Sequence, residues 1–249
     1  MSSSKLSVVI ITYNEEANIG RCIESVKDIA DELIIIDSGS TDHTIDIASS
    51  FSARIITKKW LGYSEQKNFG NQQAQHDMIL SMDADEALSE ELRLSILTEK
   101  EKGLKGIYGF SRLTNYCGKF IRHGSWYPDF KLRIFNRNQV KWEGYIHEKL
   151  TGYKPNEITW LKGDCLHYSF YSIEQHKAKS QNFSTMMAED MKRCGKKFSM
   201  LKYFFSPAFK FLSGYVFKLG FLDGLAGFNI ALISAQTTAL KYKKLKKLG

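Results

Sequence analysis

At 249 residues, with 35 Lys and Arg against 27 Asp and Glu, the chain carries a formal charge of +8. Its charged and apolar fractions are those of a folded protein, which excludes a disordered or fibrous chain, and its length supports a substantial core. Cys22, Cys117, Cys165 and Cys194 are too widely spaced for a metal cluster and fit a reduced compartment, and the first residues lack the basic-then-apolar profile of a secretory signal.

The charge is unevenly spread. Residues 192–249 carry +11 and the rest of the chain −3, so a near-neutral body is followed by a strongly basic tail. Such asymmetry points to a membrane surface or a nucleic acid.

In chain order, Lys5–Thr12 is a short β-branched run of the kind that forms a buried parallel strand. Tyr13, Asn14 and Glu15 follow at its carboxyl end. Residues 18–27 place Ile19, Cys22, Ile23 and Val26 at helical spacing. Glu32–Asp37 is a second strand that ends on an acid. Ser38–Asp42 is a turn with helix-capping residues, leading into a helix through Phe51. Ala53–Thr57 is a third strand, Glu65–Gln75 a helix, and Met78–Met82 a fourth strand. Ser89 caps the next helix, with Glu90 and Glu91 at its positive end.

This alternation predicts a doubly wound, mostly parallel α/β sheet. Right-handed crossovers bring the carboxyl ends of the strands to one rim, where ligands bind. Three polar clusters then share that rim: residues 12–15, 37–42 and 83–86. Alternation along an extended chain points Asp83 and Asp85 the same way, and a cation between them would relieve their repulsion. Oxygen ligands suit Mg²⁺ or Mn²⁺. A solvated turn with surface acids is the plainer reading of that motif alone.

From Ile107 the pattern changes to a mixed region, with strands at 107–113, 131–135 and 140–142. Trp126 and Tyr127 offer flat faces for a sugar ring, or else pack in the core. His167 is the polar residue of a further strand end and is either a ligand or a structural histidine. Ser172–Cys194 reads as a helix. The tail from Phe198 interleaves aromatic, apolar and basic residues. It reads either as a segment lying on or dipping into an anionic leaflet or as a helical cap with a basic end. No RNA-binding module is visible, and no nucleic-acid partner is expected.

Ser7–Glu15 (SVVIITYNE), Ile36–Asp42 (IDSGSTD) and Met82–Asp85 (MDAD) resemble the three signatures of family 2 inverting glycosyltransferases with the GT-A fold. Trp60–Asn68, Arg133–Arg137, the pairs His147–Glu148 and His167–Tyr168, and Gly220–Gly224 resemble a narrower branch, the lipopolysaccharide core β-1,4-glucosyltransferases that add glucose to a heptose.

The resemblance implies a UDP-sugar donor, a divalent metal (Mn²⁺ or Mg²⁺) and a lipid A–core or other glycolipid acceptor. Thr12, Asn14, Glu15 and Asp37 would hold the uridine part, with Tyr13 and Ser38 also binding substrate. Gln66, Lys67 and Asn68 would approach the diphosphate. Asp83 and Ala84 would contact the donor, while Asp85 and His167 would bind the metal. Trp126 and Tyr127 would meet the acceptor. Glu148 would be the catalytic base, with Asp129 as its rival; a structural Glu148 paired with Arg133 or Arg137 is the other reading.

Three segments are expected: a nucleotide-sugar-binding half at 1–110, an acceptor and catalytic region at 111–170, and a helical membrane-associating extension at 171–249. The enzyme would work at the cytoplasmic face of the membrane. The competing readings are a transferase for another polysaccharide, lipid-linked sugar or peptide, and a non-catalytic nucleotide-sugar binder. A nucleotidyltransferase fits less well, because the segment after the first strand is acidic rather than Gly-rich and basic.

Overall fold

The computed structural model describes residues 4–144 and 148–248; His147 lies outside them. The chain forms two compact units, one from Met1–Arg112 with Phe130–His167 and one from Leu113–Asp129 with Tyr168–Gly249.

The main sheet is built on strands β1 (Leu6–Thr12), β2 (Glu32–Asp37), β3 (Arg54–Thr57), β4 (Met78–Asp83), β5 (Glu86–Leu88), β6 (Ile107–Tyr116), β8 (Asp129–Asn136) and β11 (Ile158–Phe170). Their order across the sheet is β3-β2-β1-β4-β8-β6-β11-β5. Strands β3, β2, β1 and β4 are mutually parallel, β8 runs antiparallel to β4, and β5 runs antiparallel to β11. This is the parallel half with a mixed continuation expected from the sequence.

The alternation of β1 decides how the sheet is covered. Val8 and Ile10 face a core shared with helices α1 (Ile19–Val26), α2 (Thr44–Ser49) and α4 (Glu90–Lys102). Val9 and Ile11 face the opposite core, on the side of α3 (Tyr63–Gln73) and the hairpin of β9 (Lys141–Glu143) and β10 (Lys149–Thr151). Ser89 caps α4 as expected, its side chain accepting from the Leu92 N–H.

Helix α3 buries Ser64, Gln66, Lys67 and Asn71 instead of an apolar stripe. Gly70 lets it lie flat on the sheet: a Cβ there would stand 2.6 Å from Val9 Cγ1 and 2.8 Å from Ile36 Cγ1. The polar residues beside it are thereby driven into the interior.

Asp31 ties β1 to α4. It pairs with Lys100 at 2.5 Å and Lys5 at 2.9 Å and accepts from the Leu6 N–H. Burial pushes this carboxyl up, but those three partners outweigh it and hold the pKa down at about 2, from an ordinary 3.8. A depressed folded value means the stabilisation is full above about pH 4 and is lost as the pH falls toward 2. Melting curves from pH 7 to pH 2 should therefore show a steeper acid loss for the wild type than for Asp31→Asn; parallel curves would contradict this.

The second unit contains β7 (Lys119–Phe120), which pairs with the end of β6, and helices α5 (Ile173–Arg193), α6 (Met200–Leu212) and α7 (Gly224–Leu248). Ala188, Tyr242 and Leu245 join α5 to α7, and Lys244 Nζ donates to Gln181 O, Ser184 Oγ and Thr185 Oγ1. Asp223 is buried and accepts from the His123 N–H at 2.8 Å. Helix α6 has no buried residue. No single described helix is long and apolar enough to cross a membrane; Met200–Phe217 and Gly220–Leu248, bent by 72°, meet that test only as a pair.

Candidate active site

The strand registers put three of the expected segments side by side. Thr12 is level with Asp37 across β1 and β2, and Ile11 is level with Asp83 across β1 and β4. The first two loops are laced together. Asn14, at φ 53°, accepts from the Thr41 N–H at 2.8 Å through Oδ1, and its own N–H donates to Ser40 Oγ. The Glu15 N–H donates to Thr44 Oγ1 at 2.7 Å. Asp37 is buried and shapes its own turn, accepting from Gly39 and Ser40. Tyr13 stands out into solvent at 56 % exposure, and Ser38 Oγ accepts from Gln66 Nε2. Thr12 Oγ1 is buried without a hydrogen-bond partner, which suits a site awaiting a polar ligand.

Ala84 and Asp85 form a turn between β4 and β5, so the alternation of an extended chain does not hold there. Asp83 is held by fixed cations, Lys67 Nζ at 3.1 Å and Arg133 Nη2 at 3.0 Å. Arg133 also meets the buried Glu86 at 2.5 Å, and Glu86 Oε2 accepts from the Asp83 N–H. Burial pushes the Asp83 carboxyl up, but Lys67 and Arg133 prevail and hold it far below the carboxylate range. Protein cations at Asp83 thus relieve part of the repulsion at this motif. Asp85 Oδ2 lies 3.1 Å from His167 Nε2.

Lys67 is fully buried, its Nζ between Asp83 and Glu148 Oε1 at 3.0 Å and over the Trp142 ring at 4.9 Å. It faces carboxylates rather than an open anion site. Glu148 is paired, but with Lys67 and not with Arg133 or Arg137. Asn68 grips the β9 backbone in both directions, donating to Trp142 O and accepting from the Trp142 N–H, and Ser64 Oγ donates to Gly144 O. One helix therefore holds the chain on both sides of residues 145–147. Gln66 is buried and donates to Ser38 and to Lys58 O.

A carboxylate and an imidazole at Asp85 and His167 make a two-donor site. Among the described residues no cluster of three or more His, Cys, Asp or Glu could hold a metal alone. The donor set fits a cation of the Mg²⁺ or Mn²⁺ type, which takes few protein ligands and completes its shell with phosphate and water.

Asp129, Trp126 and Tyr127 belong to the second unit. There Trp126 stacks on Phe170 at 5.5 Å and meets Tyr116 and His176 edge-on. Its ring serves packing, the other reading left open by the sequence. His176 in that cluster is pushed by burial down to about 4 and is neutral at physiological pH.

The description of glycosyl transferase family 2 matches residues 7–175. The chain belongs to this family. A family 2 enzyme is thus the setting for the acids above. The chain is 35 % identical to an uncharacterized glycosyltransferase of Rickettsia typhi, over 98 % of this chain and 88 % of that one. It is 30 % identical to the lipopolysaccharide core biosynthesis glycosyltransferase LpsC of Rhizobium meliloti, over 96 % and 91 %. Glucosyl-3-phosphoglycerate synthase from Mycobacterium tuberculosis, solved with Mn²⁺, UDP and glucosyl-3-phosphoglycerate, is 27 % identical over 45 % of this chain and 44 % of its own, with a TM-score of 0.36.

Arg112, whose Nη1 lies 3.4 Å from Glu86 Oε1, escaped the sequence reading, and Glu86 entered it only as a member of the rim cluster 83–86. Arg133 entered through a motif and as a candidate partner of Glu148. A guanidinium at an interior position of the strand 131–135, in a chain with six acids in its three rim clusters, was the available signal.

Proposed function

We propose that this glycosyltransferase is a divalent-metal-dependent inverting hexosyltransferase. It takes its sugar, glucose in the first instance, from a UDP-sugar, and its acceptor is a heptose of the lipopolysaccharide inner core at the cytoplasmic face of the membrane. The observation that carries the reaction is the pairing of two acidic sites on one unit, Asp85 with His167 and Glu148 with Lys67. The likeness to LpsC supports the acceptor class.

In this mechanism the strand ends at Thr12, Asn14, Glu15, Asp37 and Ser38 bind the nucleoside, and Asp83, fixed by Lys67 and Arg133, orients the donor. Asp85 and His167 would hold the metal, which when bound supplies positive charge against the diphosphate leaving group. Glu148 accepts the proton of the acceptor hydroxyl as its oxygen attacks the anomeric carbon. The bond from that carbon to the diphosphate breaks on the opposite side, UDP departs with the electron pair, and the configuration inverts.

Purified protein should transfer glucose from UDP-glucose to heptose-terminated lipid A–core. EDTA should abolish transfer, Mn²⁺ or Mg²⁺ should restore it, and Asp85→Ala should lower the rate at least about a hundredfold, the scale of losing one electrostatic stabiliser. Metal-independent transfer would reject the metal; use of another UDP-sugar would reject glucose alone.

The membrane reading rests on the second unit. Leu201, Phe204, Phe205 and Phe209 of α6 are all more than 60 % exposed, on a helix that also carries Lys202 and Lys210. An aromatic, basic surface of this kind suits an anionic leaflet. Phe204→Ser with Phe205→Ser and Phe209→Ser should reduce co-sedimentation with phosphatidylglycerol vesicles at least about tenfold, because each lost aromatic side chain removes on the order of 1 kcal/mol or more of apolar burial. Undiminished sedimentation would reject this surface.

A further inference from the structure

Trp60 lies on the loop that leaves β3, and Tyr63 opens α3. Both residues are partly exposed, at 43 % and 42 %. They meet edge to face, with centroids 4.8 Å apart and planes at 89°. Gly62, at φ 117°, lets the chain turn between them. Single exposed aromatics are ordinary. This pair is braced by its own edge contact and belongs to none of the hydrophobic cores.

Its position gives it a use. Tyr63 is four residues before Lys67 on α3 and so shares its face. Lys67 Nζ touches both Asp83 and Glu148. Burial, then the fields of Asp83, Glu148, Asp85 and Glu15, push the Tyr63 phenol above its ordinary range. The ring thus feels the fields of Asp83, Glu148, Asp85 and Glu15, and it shares a helix face with the lysine that touches two of them.

The geometry points to Trp60 and Tyr63 as the sugar-stacking surface of the site, an exposed and mutually braced aromatic pair beside the carboxylates. The inference rests on the glycosyl-transfer reading above. The C–H face of a pyranose packs on such rings, and the phenol O–H can bond a sugar hydroxyl. Donor and acceptor both present this chemistry. Trp126, the residue the sequence put forward for stacking, is already packed against Phe170.

The test uses full-length Trp60→Ala, Tyr63→Ala and Tyr63→Phe. Calorimetric titration with UDP and with UDP-glucose, each with Mn²⁺, is paired with initial rates of transfer to heptose-terminated lipid A–core. If the rings hold the donor sugar, both alanine variants bind UDP-glucose at least tenfold more weakly and bind UDP as the wild type does. If they hold the acceptor sugar, both titrations are unchanged and the acceptor KM rises at least tenfold. Tyr63→Phe keeps the stacking face and recovers most of the loss in either case. Alanine variants within twofold of wild type in every arm overturn the inference, as does UDP weakened as much as UDP-glucose. A folded wild type that binds neither UDP nor UDP-glucose overturns the donor reading and this inference together, whereas binding without transfer leaves the donor arm to decide.

Discussion

Arg133→Leu is expected to destabilise the protein by about 3–5 kcal/mol, the cost of leaving buried charge without its partner. Arg133 is 3 % exposed and Glu86 1 %, and the guanidinium also holds Asp83. Burial alone would lower the Arg133 pKa; Glu86 and Asp83 more than reverse that, so it stays charged. The folded Asp83 carboxyl is depressed, so its contribution is present above the ordinary carboxylate range and is lost only as the pH falls well below it.

Without Arg133, Glu86 loses its nearest cation and gains by taking a proton. The deficit of the variant should therefore shrink from pH 7 to pH 5. Urea unfolding at the two pH values measures this. Adding Glu86→Gln should recover part of the loss, since the amide oxygen still accepts from the Asp83 N–H. Arg133→Lys should lose less than Arg133→Leu, keeping the charge without the fork. A deficit under about 1 kcal/mol at both pH values would mean that Arg112 alone sustains Glu86.

The same residues show what the sequence could and could not tell. The strand–helix alternation of the first hundred residues was legible because each element carries its own period, and the Ser89 cap because capping is local. The turn at Ala84–Asp85 was not. Three-residue β5 exists because it pairs with β11, far along the chain, and the chain turns at Ala84 and Asp85 to reach it. Lys67 illustrates the same division. Its place on a helix was readable, but its enclosure follows from Gly70 laying α3 flat, and its partners come from β4 and from Glu148. Trp126 was legible only as an aromatic with two possible uses; Phe170 and His176 decide between them through tertiary contacts.

Glu148→Gln is expected to lower kcat by about 10²–10⁴-fold, the range for loss of a positioned general base. The substitution separates chemistry from architecture. Gln keeps an oxygen where Glu148 accepts from Lys67 Nζ at 3.0 Å, and Lys67 retains Asp83 at 3.1 Å, so the buried lysine is not abandoned. What is lost is the capacity to take up the acceptor proton. The affinity for UDP-glucose should stay within about twofold, because uniform donor binding does not involve that proton. Glu148→Asp withdraws the carboxylate by one methylene and should fall between the two, since misplacement of a reacting group costs rate steeply. Asp129→Asn should remain within about tenfold of wild type, as no base is removed. If Asp129→Asn instead loses a hundredfold or more while Glu148→Gln stays near wild type, the base is Asp129. Glu148 then serves only as the counter-charge that lets Lys67 sit dry beside the donor carboxylate.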